Sequence, residues 1–218
     1  MASDDSFRKK RECSVNDLKR KKAVLERQPR ILIVCEDSKS SAYYFEDIKE
    51  DLRLSGVTVE GKRCGSAPSS VLKFARQEYA NSKGDVYDRV YCVFDRDQHP
   101  CFDATLQTIN GLKPKDKFFA ITSTPCFEFW LLLHFDYSSQ AYKVTGNKSP
   151  CDNAHSDLKK KWTDYAKSKR GVYANTKDKL ATATTNAKNL AIDNAKTNSI
   201  NPQTNMHELI EYLQSIKR

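Results

Sequence analysis

Two short apolar runs in this chain stop abruptly at acids, and that feature constrains the fold more than any other. Ile31–Cys35 (ILIVC) gives way to Glu36-Asp37-Ser38, and Tyr87–Phe94 (YDRVYCVF) gives way to Asp95-Arg96-Asp97. A short β-branched run that is apolar at nearly every position, without strict alternation, predicts a strand buried on both faces. Strands of that kind belong to parallel sheets covered by helices on both sides.

The segments around these runs fit such a sheet. Ser40 to Leu52 places Tyr44, Phe45, Ile48 and Leu52 at helical spacing, and Val57 to Cys64 alternates weakly as a second strand. Ser69 and Ser70 open a helix that runs to about Tyr79, with Val71, Leu72, Phe74 and Ala75 on its apolar face. Phe102 to Leu112 reads as a helix, Phe118 to Thr122 as a fourth strand, and Cys126 to Phe135 as a hydrophobic helix behind Pro125. Strands alternating with helices predict an α/β domain with a parallel, Rossmann-like sheet and right-handed crossovers. From Asp136 to about Arg170 the pattern breaks into polar residues, Gly146, Pro150 and lysines, as in an insertion or lid. Thr176 to Lys196 is Ala-rich and helical, and Asn201-Pro202 leads into a last helix with Asn205 and Glu208 spaced as a capping box. Three segments follow: a basic flexible arm (1–28), an α/β core (29–135), and a basic insertion with C-terminal helices packed on that core (136–218).

Ligands of open parallel sheets bind outside the carboxyl ends of the strands. Glu36 sits at that edge after the first strand, and Asp95 and Asp97 sit there after the third. Residues two apart in an extended exit can point their side chains to one side, so Asp95 and Asp97 can face Glu36 together. Three carboxylates at one edge repel one another, and a divalent cation relieves that repulsion. All-oxygen ligation suits Mg²⁺ or Mn²⁺ over zinc. Such an ion orients a water against phosphorus and shields the phosphate's charge. Glu128, set among Phe127, Phe129 and Trp130 at the start of the hydrophobic helix, is a further acid that is costly to bury alone. It is a candidate metal ligand or general base, and equally a helix-start charge favoured by the macrodipole. His134, further along that helix, reads as a core or interface histidine.

The formal net charge is +9, concentrated at the N-terminus and again between Lys143 and Lys179. Basic clusters around an acidic centre favour a polyanionic substrate. Lys39, Arg96 and Lys143 are the nearest candidates for holding phosphate. Tyr142, Trp162, Tyr165 and Tyr173 either stack on unpaired bases or pack the insertion onto the body. The seven cysteines are scattered without a CxxC pair or zinc-ligand spacing, and no disulfide or metal pattern is legible in them. The charged N-terminus lacks an apolar signal region and no apolar run reaches membrane-spanning length, so a cytoplasmic protein without membrane contact is expected.

A Glu closing the first strand and a DxD closing the third resemble the TOPRIM domain. More closely, the chain resembles the RloB-like family through ILIVCEDSKSSAYYF (31–45), VFDRDQH (93–99), STPCFEFWLLLHF (123–135) and NPQTNMHELIEYL (201–213). The resemblance runs from about residue 30 to the end. It implies a TOPRIM-type metal nuclease of bacterial antiphage or restriction-associated loci, encoded beside an ATPase partner and acting on nucleic acid, either RNA such as tRNA or DNA. Glu36, Asp95, Asp97 and Glu128 are the positions carried over, the first three as ligands of Mg²⁺ or Mn²⁺. Three departures stand out: Asp37 where the family usually has glycine, Ser38 to Ser41 where it has an acid, and Thr124 where it has asparagine. The rival reading is a non-catalytic module that binds nucleic acid or the ATPase through its basic arm, with a vestigial site. Homodimerisation is left open by the sequence.

Overall fold

The computed structural model describes residues 27–61, 65, 67–96 and 99–217, so most of the basic arm lies outside the described residues. The chain runs β1 (Ile31–Cys35), α1 (Ser40–Asp51), β2 (Val57–Glu60), α2 (Pro68–Asn81), β3 (Arg89–Asp95), α3 (Phe102–Gly111), β4 (Phe118–Thr124) and α4 (Phe127–Leu132). It continues with α5 (Pro150–Lys161), α6 (Val172–Thr176), a 3-10 turn, α7 (Leu180–Thr197), β5 (Gln203–Thr204) and α8 (Met206–Ser215). The sheet order is β2-β1-β3-β4-β5, with the first four strands parallel and β5 antiparallel to β4.

Every residue of β1 is buried, as its unbroken apolar run requires. Successive side chains point to opposite faces. Ile31, Ile33 and Cys35 therefore join Tyr91, Val93 and Ile121 in one core, under α1, α4, α7 and α8. Leu32, Val34, Val90, Cys92 and Phe94 face the other core with residues of α2 and α3. The helix α4 is buried at all six positions, and its Trp130 is the largest fully buried side chain. Among the described residues, no helix is long and apolar enough to cross a membrane.

Three expectations change. The segment taken as an irregular insertion contains α5, started by a capping box between Ser149 and Asp152. It packs on the body through Ala154 and Leu158 within the same core cluster as β1. The second strand ends at Glu60, and residues 62–64 lie outside the described ones. Asn205 and Glu208 do not make the expected box. The Asn205 side chain instead accepts from Thr122 N (2.7 Å) and donates to Ala120 O (3.0 Å), tying the start of α8 to the β4 edge. A sheet edge with unpaired backbone groups costs more than an uncapped helix end, so the tertiary bond prevails.

The stacking candidates of the insertion are packing residues. Tyr142, Tyr165 and Tyr173 are buried, and Trp162 is half-buried against Phe135 and Tyr165. We predict that Asn205→Ala leaves two β4 backbone groups unpaired and lowers stability by about 1–3 kcal/mol. Urea unfolding checks this, and an unchanged midpoint would show that the clamp is dispensable.

Candidate active site at the carboxyl edge of the sheet

The ends of β1 and β3 are joined side chain to backbone. Glu36 N donates to Val93 O (2.9 Å), continuing the ladder by one step, and the Asp95 N–H donates to Glu36 Oε2 (2.9 Å). Asp95 closes β3, and its Oδ2 accepts from the Phe127 N–H (3.2 Å) at the first residue of α4. That N–H is one of the helix-start donors that lack an intrahelical partner. Glu128 follows on the same turn and is 3% exposed. Its Oε1 accepts from the Tyr165 hydroxyl (3.1 Å) and lies 3.5 Å from Lys167 Nζ.

Glu36, Asp95, Phe127, Glu128 and Lys167 line one pocket of about 390 Å³, together with Asp37, Lys39, His99, Cys126, Cys151 and Ser168. Three of the acids anticipated from sequence, Glu36, Asp95 and Glu128, thus meet in one place. The fourth, Asp97, lies outside the described residues. Of the phosphate-binding candidates, Lys39 lines the pocket. Arg96 turns to Asp103 (3.2 Å) and lies over the Phe102 ring, and Lys143 is exposed on the segment before α5. Neither is among the described residues that line this pocket.

Asp37 has a structural task. Its carboxylate accepts from Ser41 N at 3.0 and 3.1 Å and from Ser41 Oγ at 2.7 Å, so it holds the start of α1. The loop it sits on passes close to Gly61, where a Cβ would lie 2.6 Å from the Asp37 carbonyl oxygen. Only a glycine allows that approach.

The electrostatics of the pocket centre on Asp95. Burial raises its pKa well above the usual carboxylate value, and the neighbouring charges of Glu128, Glu36 and Asp37 push it further up, against the Phe127 hydrogen bond. An acid held this way is relieved by a proton or by a cation. Burial, then the charge of Glu128, also drives the Tyr165 pKa up, so that hydroxyl stays protonated and donates. The donors facing the pocket from Glu36 and Asp95 are all oxygens, which suits a hard divalent ion. Among the described residues, the one group of three ligating atoms within 4.8 Å of one another is instead Cys126, Glu128 and Cys151. Its sulfurs are joined in a disulfide.

Three participants had no place in the site as read from sequence. His99 Nε2 lies 3.1 Å from Glu36 Oε1, and its place at the end of VFDRDQH was the available signal. Lys167 and Tyr165, the latter read only as a stacking or packing residue, come from the turn after α5, nearly forty residues beyond Glu128, and nothing local links them to it. The Cys126–Cys151 bond joins two cysteines in which no disulfide pattern was legible. His134 is a core residue as expected: it is buried, Nδ1 lies 3.1 Å from Trp130 O, and burial lowers its pKa to about 4.

A family model described as RloB-like protein matches residues 31–213. No curated protein and no solved structure matches the chain.

The raised pKa of Asp95 fixes the sign of a pH effect. In the metal-free protein the folded state keeps a proton that the unfolded state has lost, so stability falls as pH rises from the ordinary carboxylate range through the raised value. Asp95→Asn is expected to flatten that slope and to unfold several degrees higher than wild type at pH 8. Thermal unfolding in EDTA between pH 5 and 8 checks it. Parallel slopes in the two proteins would contradict the assignment.

Proposed function

We propose, from the premise that the chain belongs to the RloB-like family, that it is a Mg²⁺- or Mn²⁺-dependent nuclease of the TOPRIM type. The observation that carries this reading is the meeting of Glu36, Asp95 and Glu128 in one pocket at the carboxyl edge of a parallel sheet, with the ionised form of Asp95 disfavoured by burial and then by its acidic neighbours. Glu36 and Asp95 would hold the ion, with Asp97 as the third ligand that the sequence pattern supplies. When bound, such an ion polarises a phosphodiester and lowers the pKa of a water beside it.

The chain's own groups have separate tasks. The Asp95 N–H fixes Glu36 Oε2, so one ligand orients the other. Tyr165 and Lys167 hold Glu128 Oε1, and Glu128 is the pocket's candidate to receive a proton from the attacking group. Lys167 and Lys39 on the pocket wall meet the substrate's negative charge. The net charge of +9 supports a nucleic-acid substrate, RNA such as tRNA or DNA. A cytoplasmic role as the effector of an antiphage system, restrained or triggered by an ATPase partner, belongs to the same proposal and rests on the family resemblance.

One observation favours a second reading, a nucleic-acid- or ATPase-binding module without catalysis. Glu36 and Glu128 already have His99 and Lys167 as basic partners, an arrangement that stands without metal. The two readings part in a cleavage assay. Total tRNA, plasmid and single-stranded DNA are incubated with protein in Mg²⁺, Mn²⁺ or EDTA, with and without the ATPase. Metal-dependent cleavage should fall by about 10²-fold or more in Glu36→Ala, Asp95→Ala and Asp97→Ala. Wild type and variants that remain equally inert with the ATPase present would move the binding module ahead.

A further inference from the structure

Cys126 and Cys151, joined by a disulfide, both line the acidic pocket, Cys151 partly exposed and Cys126 2% exposed. The other cysteines among the described residues are elsewhere: Cys35 and Cys92 are buried in the two cores, and Cys101 sits at the start of α3. The bonded pair spans 25 positions, with its Cα atoms 5.6 Å apart. It joins the residue just before α4 to the first turn of α5.

One cation stands beside Cys151. Lys167 Nζ lies 3.6 Å from its Sγ, and a neighbouring ammonium stabilises a thiolate. A sulfur stabilised as thiolate is a good leaving group in thiol–disulfide exchange. Its position also couples it to the acids. Cys151 Sγ lies 3.7 Å from Glu128 Oε2, and the same Lys167 lies 3.5 Å from Glu128 Oε1. A Cys151 thiolate and Glu128 would therefore share one cation.

We propose that Cys126 and Cys151 form a reversible thiol–disulfide pair built into the wall of the acidic pocket, exchanging with a small thiol of the glutathione class. A glutathione thiolate attacks the more exposed Cys151 Sγ from the pocket, the protein S–S bond breaks, and Cys126 leaves and takes up a proton. A second glutathione thiolate attacks the mixed disulfide at the glutathione sulfur, releasing oxidised glutathione and the Cys151 thiolate beside Lys167. Two electrons pass to the protein, and each of its sulfurs takes up a proton or, at Cys151, keeps its charge against Lys167. Reduction then releases the first turn of α5 from the residue that precedes Phe127 and Glu128, and draws Lys167 from Glu128 towards sulfur. The inference does not depend on the nuclease reading, because the bond and its exchange are measured without substrate.

The test uses full-length Cys101→Ser protein in chelator, since the reduced thiols and Glu128 would gather a soft cation. Native protein purified without reductant is alkylated, digested and read by mass spectrometry, then equilibrated across glutathione redox ratios. The expected result is a linked Cys126–Cys151 peptide that opens along a single two-electron curve in folded protein. Reduction should lower the unfolding temperature by about 5–10 °C, and Lys167→Met should slow the opening by about tenfold. Alkylation of Cys126 and Cys151 in native protein without reductant, or a bond between them that glutathione opens only after urea unfolds the chain, would overturn the proposal. An opening rate unchanged by Lys167→Met would overturn the part given to that lysine.

Discussion

The hydrogen bond from the Asp95 N–H to Glu36 Oε2 joins two adjacent parallel strands at the point where both run out of apolar residues. It sets one carboxylate against the backbone of another and gathers negative charge where the sheet ends. Everything around the pocket answers that concentration. Phe127 at the start of α4 donates to Asp95, and His99 meets Glu36. The turn after α5 sends Tyr165 and Lys167 to Glu128. These contacts reduce the repulsion without abolishing it, and burial together with what remains of it raises the pKa of Asp95. A divalent ion is the remaining partner that the proposed function supplies.

The segment between α4 and α7 reads in sequence as an insertion or lid and is packed into the core. Asn201 pairs with the Tyr142 backbone in both directions, at 3.1 and 2.8 Å, and Tyr142 donates to Asp157 of α5. Gly171 N and Tyr173 bond to Asp47 and Asp51 of α1. The insertion is thus pinned to the C-terminal segment on one side and to α1 on the other. Its buried tyrosines are taken up by packing and by these anchors, while its lysines are exposed.

The strands β1 and β3 were legible because burial on both faces leaves an unbroken apolar run, while the less buried β2 showed only a weak alternation. Acids ending two of those runs made Glu36 and Asp95 readable, and Glu128 stood out as a charge among aromatics. The two-residue β5 has no periodicity to read, and α5 hides its short apolar side, Ala154 and Leu158, among lysines and polar residues. Asn205 carried a genuine capping pattern, but a hydrogen bond to the β4 edge outcompeted the local one. His99, Tyr165, Lys167 and the Cys126–Cys151 bond depend on how distant loops meet. Spacing along the chain carries no record of that.

The central claim, that the acids of this pocket hold a divalent ion, is tested most directly by titrating Mn²⁺ into wild type and Asp95→Ala and following the free ion by electron paramagnetic resonance. The account predicts about one tightly held Mn²⁺ per wild-type chain, its affinity rising with pH as the proton on Asp95 is displaced, and no such site in the variant. Free Mn²⁺ that tracks the added Mn²⁺ equally in both proteins, at pH 8 and in the presence of nucleic acid, would contradict it.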